Sequence, residues 1–207
     1  GGLTSAQVLV FAIALGVLSM GLLVWQVNVL TAGLTFASLI GYAIIYTGYL
    51  KRATPQNIVI GGAAGALPPV IGWVGAGGAL GWEAAFLFGV LFFWQLPHFI
   101  AINWLHREEY ESVGYKMWSN GDLTGRKSGI LSTMFALVLT ALSFMPAVLG
   151  FANLLWTIVG PLLALMMVAL ALKFTKDGER TSARRLFFFT LLYLPIALLV
   201  LVLAWKN

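Results

Sequence analysis

Seven runs of mostly Leu, Ala, Val and Phe alternate with short polar connections along the chain. They lie at about Ala6 to Trp25, Asn28 to Tyr46, Ile58 to Gly77, Ala84 to Trp104, Ile130 to Gly150, Ala152 to Leu172 and Leu186 to Trp205. Each is roughly 20 residues, the length a helix rising 1.5 Å per residue needs to cross about 30 Å of hydrocarbon. No strict two-residue alternation runs through them, which argues against a β-barrel. The first run lacks a basic leader and six more follow it, so it reads as a true span rather than a signal peptide. The pattern predicts an all-α integral membrane protein, with residues 1–207 forming a single transmembrane domain.

Composition strengthens this reading. Of the residues, 60% are hydrophobic and 9% are charged, with a mean hydropathy of +0.94. A soluble domain is about a quarter charged, so a soluble enzyme, a disordered tail and a nucleic-acid module are all poor fits. The absence of cysteine excludes disulfides and thiol chemistry from this sequence. The net charge of +5 is placed rather than spread. Lys51 and Arg52 fall in the second connection. Arg107, Lys116, Arg126 and Lys127 fall in the fourth, and Lys173, Lys176, Arg180, Arg184 and Arg185 in the sixth; only Lys206 lies on the other side. The positive-inside rule makes the basic face cytoplasmic and places the protein in the cell (inner) membrane, with no nucleic-acid partner implied.

Candidate chemistry gathers at that basic face. The spans hold no Asp, Glu, Lys or Arg, and a single histidine, His98. In the fourth connection Glu108, Glu109 and Glu111 precede Lys116 and Asp122. If the preceding helix runs on, Glu108 and Glu111 share a face and Glu109 falls at about the angle of His98. Carboxylates so grouped suit Mg²⁺, and nearby Arg107, Lys116 and Arg126 suit a phosphate. A solvated loop with local ion pairs accounts for the same residues. In the second connection Thr54 reads as a helix N-cap with Pro55 at the first helical position, next to Lys51 and Arg52. That combination suits a diphosphate, and membrane anchoring explains the two cations equally well. Gly61 and Gly65 form a small-xxx-small face for helix packing, and Pro68-Pro69 should kink or break that span. His98, with Gln95 three residues before it, is either a hydrogen-bonded core group or an axial ligand for haem iron. The aromatics Tyr46, Tyr49, Trp73, Trp94, Phe99, Trp104, Tyr110 and Tyr115 are either an interfacial belt or faces that stabilise a cation.

The run from Tyr46-Thr47 through Leu50-Lys51-Arg52 and Thr54-Pro55-Gln56-Asn57 to Gly65, Pro68-Pro69 and Trp73 resembles the UbiA superfamily of membrane prenyltransferases, in particular its haem-farnesylating branch. Trp94-Gln95, Pro97-His98-Phe99, Glu109-Tyr110 with Gly114 and Met117, and Ala183-Arg184-Arg185 with Tyr193-Leu194-Pro195 reinforce it. The resemblance implies a nine-helix bundle with two acidic motifs. Seven spans without the first motif lead to the expectation that the chain is a piece beginning after it. The resemblance further implies transfer of a farnesyl group from farnesyl diphosphate to a vinyl group of haem b, with water added and diphosphate released. Catalytic roles then fall to Glu109, Tyr110, Lys51 and Arg52. Substrate binding falls to His98, Gln95, Tyr46, Asn57, Arg107, Lys116 and Arg126, and Mg²⁺ to Glu108, Glu109 and Glu111. The second motif has Glu109 where the family has Asp. A haem A synthase or terminal oxidase assembly is the implied recipient of the product.

Three rival readings remain open on sequence: a prenyltransferase acting on a quinone precursor or another tetrapyrrole, a haem-binding or transport module without chemistry, and a non-catalytic descendant. A transporter would show matched broken helices in inverted repeats, and Pro68-Pro69, Pro97, Pro146, Pro161 and Pro195 are not so matched.

Overall fold

The computed structural model describes residues 2 and 4–206 and is helical throughout, with one isolated bridge between Ala152 and Trp205 among the described residues. Seven helices in this set are long and apolar enough to cross a membrane: α1 (Ser5–Gln26), α2 (Val29–Ala53), α3 (Asn57–Gly75), α4 (Trp82–Leu105), α6 (Arg126–Leu149), α7 (Leu154–Asp177) and α8 (Arg180–Ala204). A short helix, α5 (Arg107–Ser112), occupies the fourth connection. The expected spans are all present, extended mainly at their charged ends.

Local chemistry starts several of them. Thr4 caps α1 with a reciprocal pair, in which Gln7 N donates to Thr4 Oγ1 (3.3 Å) and Thr4 N to Gln7 Oε1 (2.8 Å). Asn28 Oδ1 accepts from Thr31 N (2.7 Å) at the start of α2, and Asn153 Oδ1 from Leu155 N (2.9 Å) at the start of α7. At the entry to α6 the buried Asp122 accepts from Ser128 N (2.8 Å). Gly125 precedes α6 at φ +70°, and a Cβ there would lie 2.8 Å from the Phe174 ring, so only glycine fits both conformation and space.

Helices α4, α6, α7 and α8 form the core. Phe86, Trp156, Phe174, Met167, Leu186 and Tyr193 are buried among them, and Trp156 Nε1 donates to Ser143 O (2.9 Å). The end of α4 is tied down by two arginines: Arg107 Nη1 donates to Trp104 O (3.1 Å) and Arg180 Nη2 to Leu105 O (2.9 Å). Carbonyls of a last helical turn lack regular i+4 partners, and the two guanidinium groups supply donors there. By contrast α1 buries no residue and leans on α2; its exposed Leu, Val and Phe side chains are what a bilayer solvates.

Three local expectations are corrected. The second span does not stop at Tyr46 but continues to Ala53, and from Gly41 to Leu50 it is wound as a π-helix. Helix α3 begins at Asn57 rather than with Pro55 at its first position: Thr54 is extended, its Oγ1 accepts from Gln56 N (3.4 Å) and its carbonyl from Asn57 N (3.2 Å), making a turn ahead of the helix. Helix α4 ends at His106 (φ −113°, ψ 22°) and does not run on into the acidic segment. The kink at Pro68-Pro69 is as anticipated, with regular helix lost at Ala66 and Leu67 between the two halves of α3.

Candidate functional site

At the charged end of the bundle a cavity of about 500 Å³ opens between α2, α3, α4 and the fourth connection. That volume is within the range of small-molecule pockets. Tyr42, Tyr46, Thr47 and Lys51 form its α2 wall, Ile58, Gly61 and Gly62 its α3 wall, and His98, Phe99, Ile102 and Asn103 its α4 wall; Tyr110, Tyr115 and Met117 close it from the connection.

The π-winding of α2 makes the first wall possible. Tyr42 and Lys51 are nine residues apart, which in an α-helix of 3.6 residues per turn puts them on opposite faces. With i→i+5 bonding and about 4.4 residues per turn, nine residues are close to two full turns, and Tyr42, Tyr46, Thr47 and Lys51 stack on one side. Tyr42 and Tyr46 pack with ring centroids 5.4 Å apart. The α3 wall is thin because Gly61 faces the Tyr46 ring: a Cβ there would lie 2.7 Å from it. Gly65 is equally constrained, by Gln95 Oε1 at 2.9 Å, so the small-xxx-small face serves close packing.

The cationic rim is smaller than the sequence suggests. Lys51 lines the cavity, with Nζ 5.1 Å from the centre of the Tyr115 ring, and Arg52 sits beside it at 5.9 Å. Such faces attract a cation electrostatically. Lys116 is used elsewhere: its Nζ donates to Ala53 O (3.2 Å), its backbone N to Lys51 O (3.2 Å), and its carbonyl accepts from Asn57 Nδ2. Asn57, fully buried, also donates to Thr54 O (2.7 Å). Asn57 and Lys116 therefore staple the second and fourth connections together instead of lining the cavity. Arg107 lies over the Trp104 ring (5.0 Å) while it caps α4, and Arg126 is exposed at the start of α6 next to a separate surface hollow. Gln95 is buried and donates to Gly62 O (2.7 Å), joining α4 to α3.

Removing the staple should be measurable. Asn57→Ala deletes two buried hydrogen bonds and is expected to cost about 1–3 kcal/mol. Hydrogen exchange should rise at both connections together, at Lys51–Asn57 and at Tyr115–Met117. A rise confined to Asn57's own helix would show that the two connections are held independently.

The acidic group does not assemble. With α4 ended at His106, Glu109 is no longer at the angle of His98; it pairs with His106 (3.2 Å) and its side chain is 78% exposed. Glu108 pairs with Arg107 (3.5 Å) at 83% exposure, and Glu111 accepts from Gly121 N (3.0 Å). Each carboxylate has a different partner in a different direction. No group of three or more His, Asp or Glu among the described residues is placed to hold a metal ion. The expected Mg²⁺ set of Glu108, Glu109 and Glu111 does not fit the ion as a set, because Mg²⁺ requires converging oxygens at near-octahedral geometry.

His98 lies about 10 Å inside the charged end of α4, seven residues before Leu105. Its Nδ1 is 2.8 Å from Thr190 Oγ1 on α8, and its ring packs on Trp94 (5.4 Å) and Phe187 (4.9 Å). Of the sequence-predicted residues the cavity thus brings together Tyr46, Lys51, His98 and Tyr110, with Arg52 at its edge and Glu109 next to Tyr110. Asn103 was missed. It is a buried polar residue on the cavity wall, with Nδ2 3.5 Å from Met117 Sδ. A second amide in the same apolar span as Gln95, five residues beyond His98, is a readable signal.

Comparison with known proteins supplies the context. The family model described as the UbiA prenyltransferase family matches residues 1–204. The protoheme IX farnesyltransferase of Marinobacter nauticus is 40% identical over 204 residues, covering 98% of this chain and 67% of that protein. That of Brucella anthropi is 39% identical over 194 residues, covering 91% and 61%. The chain therefore spans about three fifths to two thirds of the length of these curated relatives. A solved structure of digeranylgeranylglyceryl phosphate synthase superposes with a TM-score of 0.83 at 16% identity, covering 98% of this chain and 70% of that one, which shows a shared fold. The chain belongs to the UbiA prenyltransferase family.

Proposed function

We propose that the protein is a haem O synthase. It would move the farnesyl group of farnesyl diphosphate onto a vinyl group of haem b, with addition of water, giving haem O and diphosphate. The observation that carries this reading is a single cavity lined both by Lys51, with its tyrosine faces, and by a histidine about 10 Å inside the end of α4, in a chain about 40% identical to protoheme IX farnesyltransferases.

The allylic carbon–oxygen bond breaks heterolytically and its electron pair leaves with the diphosphate. Lys51, with Arg52 beside it, neutralises the charge that develops on the leaving oxygen, the kind of fixed electrostatic stabilisation that usually supplies most of such a rate. The tyrosine faces of Tyr42, Tyr46, Tyr110 and Tyr115 lower the energy of the farnesyl cation without offering it a strong nucleophile. The terminal vinyl carbon attacks, the positive charge passes to the adjacent carbon, and water adds there and loses a proton. His98 holds the haem by its iron. Tyr110 and, next to it, Glu109 belong to this catalytic end. Mg²⁺ remains an implication of the family, and no step is assigned through Glu108, Glu109 and Glu111.

The orientation follows from charge: the basic connections face the cytoplasm, and the cavity mouth opens to the cytoplasmic side of the inner membrane. A haem A synthase or an oxidase assembly pathway would then consume the product from the same bilayer. The test is reconstitution of the full-length protein in lipid nanodiscs with haem b and farnesyl diphosphate. The expected product is haem carrying one farnesyl group and one added water, resolved by mass. Prenylation of a quinone precursor in place of haem would defeat the assignment.

A further inference from the structure

Thr190 of α8 is fully buried and makes two contacts of different kinds. Its hydroxyl donates to Phe187 O at 2.5 Å, and the same oxygen is 2.8 Å from Nδ1 of His98. A hydroxyl has one proton and a carbonyl can only accept; with that proton on the shorter contact, toward Phe187 O, the threonine oxygen accepts from the imidazole, whose role the distance alone leaves to its tautomer. In a neutral ring Nδ1 then carries the hydrogen, and Nε2 keeps its lone pair. No described residue hydrogen-bonds Nε2, and His98 lines the cavity.

The surroundings hold this arrangement still. Trp94 Nε1 donates to the backbone carbonyl of Thr190 (2.7 Å), so α4 grips the same residue of α8 through both its backbone and its side chain. The imidazole packs between Trp94 and Phe187, with Phe99 edge-on at 5.5 Å. Rotation of the ring would break the Thr190 contact and both packing contacts together.

We infer that Thr190 is a positioning residue that locks His98 in the Nδ1–H tautomer and presents Nε2 to the haem iron. This rests on the reading of His98 as the residue that holds the substrate haem. Metal-bound histidines generally donate their other ring N–H to an outer acceptor, which fixes the ring and raises its basicity; losing that partner commonly weakens metal binding 10–100-fold. The unusual feature here is that the acceptor is a hydroxyl. It serves as an acceptor because Phe187 O takes its proton.

The test begins with ¹⁵N-histidine-labelled, haem-free full-length protein, with His98→Gln identifying the His98 signals. The expected spectrum shows protonated Nδ1 and unprotonated Nε2, and the opposite tautomer in the unmodified protein overturns the inference without any Thr190 variant having to fold. Thr190→Val should mix the tautomers and weaken haem binding, followed by Soret titration, by about 10–100-fold, and Thr190→Ser should restore both. A Thr190→Val protein with an unmixed Nδ1–H tautomer and unaltered haem affinity overturns the positioning role even if His98→Ala abolishes haem binding, and the ligand reading then stands alone. If His98→Ala leaves haem affinity unchanged, the ligand reading fails and the presentation of Nε2 to iron fails with it.

Discussion

Lys51→Gln is expected to lower kcat for farnesyl transfer by about 10²–10³-fold, the loss usual when one fixed group facing a developing anion is removed. The size follows from how few cations the cavity has. Of the basic residues at this end, Lys51 is the one in the cavity wall; Arg52 lies beside it over Tyr115, Arg107 caps α4, Arg126 stands at another hollow, and Lys116 is bound to the carbonyl of Ala53. None of the others can replace Lys51 without giving up a structural contact or moving its helix. Lys51→Arg should recover part of the rate, since it restores the charge but places a planar guanidinium over the Tyr115 ring in place of a compact ammonium. Lys116→Gln should act differently, loosening the two connections and weakening substrate binding more than kcat. Single-turnover release of diphosphate in nanodiscs, measured with haem already bound, separates these cases. Unchanged release in Lys51→Gln would remove this residue from the departure step.

The layout of the spans was legible because membrane solvation imposes a simple rule: every crossing needs about 20 apolar residues, whatever the fold. The walls of the cavity were less so. Tyr46 and Lys51 are site residues in the sequence reading and Tyr42 is not; an α-helical period would set Tyr42 beside Tyr46 but opposite Lys51. The π-winding that reunites them has no simple side-chain signature in the run Gly41–Leu50. The acidic segment failed for a related reason. An uninterrupted helix would have aligned Glu109 with His98, and the break at His106 turns it outward. Cation counting was ambiguous in another way: a sequence gives the number of positive charges but not the carbonyls they cap. Arg107 and Lys116 each count as one positive charge on paper, and both are engaged with helix ends. Asn57 and Gln95 carry a substrate-binding role only as an implication of the resemblance. Their hydrogen bonds to Lys116 O and Gly62 O give each a second role, joining elements of the fold, that the sequence does not announce.

His98→Ala is expected to abolish haem farnesylation while leaving farnesyl diphosphate binding at the rim within a few-fold of normal. The two halves of this expectation come from the separation of the site: His98 lies about 10 Å deeper than the end of α4, whereas Lys51 and Tyr115 sit at the mouth. Haem affinity should fall by more than the roughly 10–100-fold that loss of an outer partner alone produces, because the ligand itself is gone. The substitution also removes the hydrogen bond to Thr190, whose hydroxyl keeps its bond to Phe187 O, and packing against Trp94 and Phe187, so some loss of stability is expected, of about 0.5–1.5 kcal/mol for the hydrogen bond itself. That structural cost is separable from ligation: imidazole diffusing into the enlarged cavity can return a nitrogen to the iron but cannot restore the covalent link to α4. Recovery of the histidine-type haem spectrum and of part of the turnover with added imidazole would therefore identify His98 as the ligand. A stable His98→Ala protein that binds haem with normal affinity and spectrum would instead make His98 a core group whose function is to hold α8 against α4.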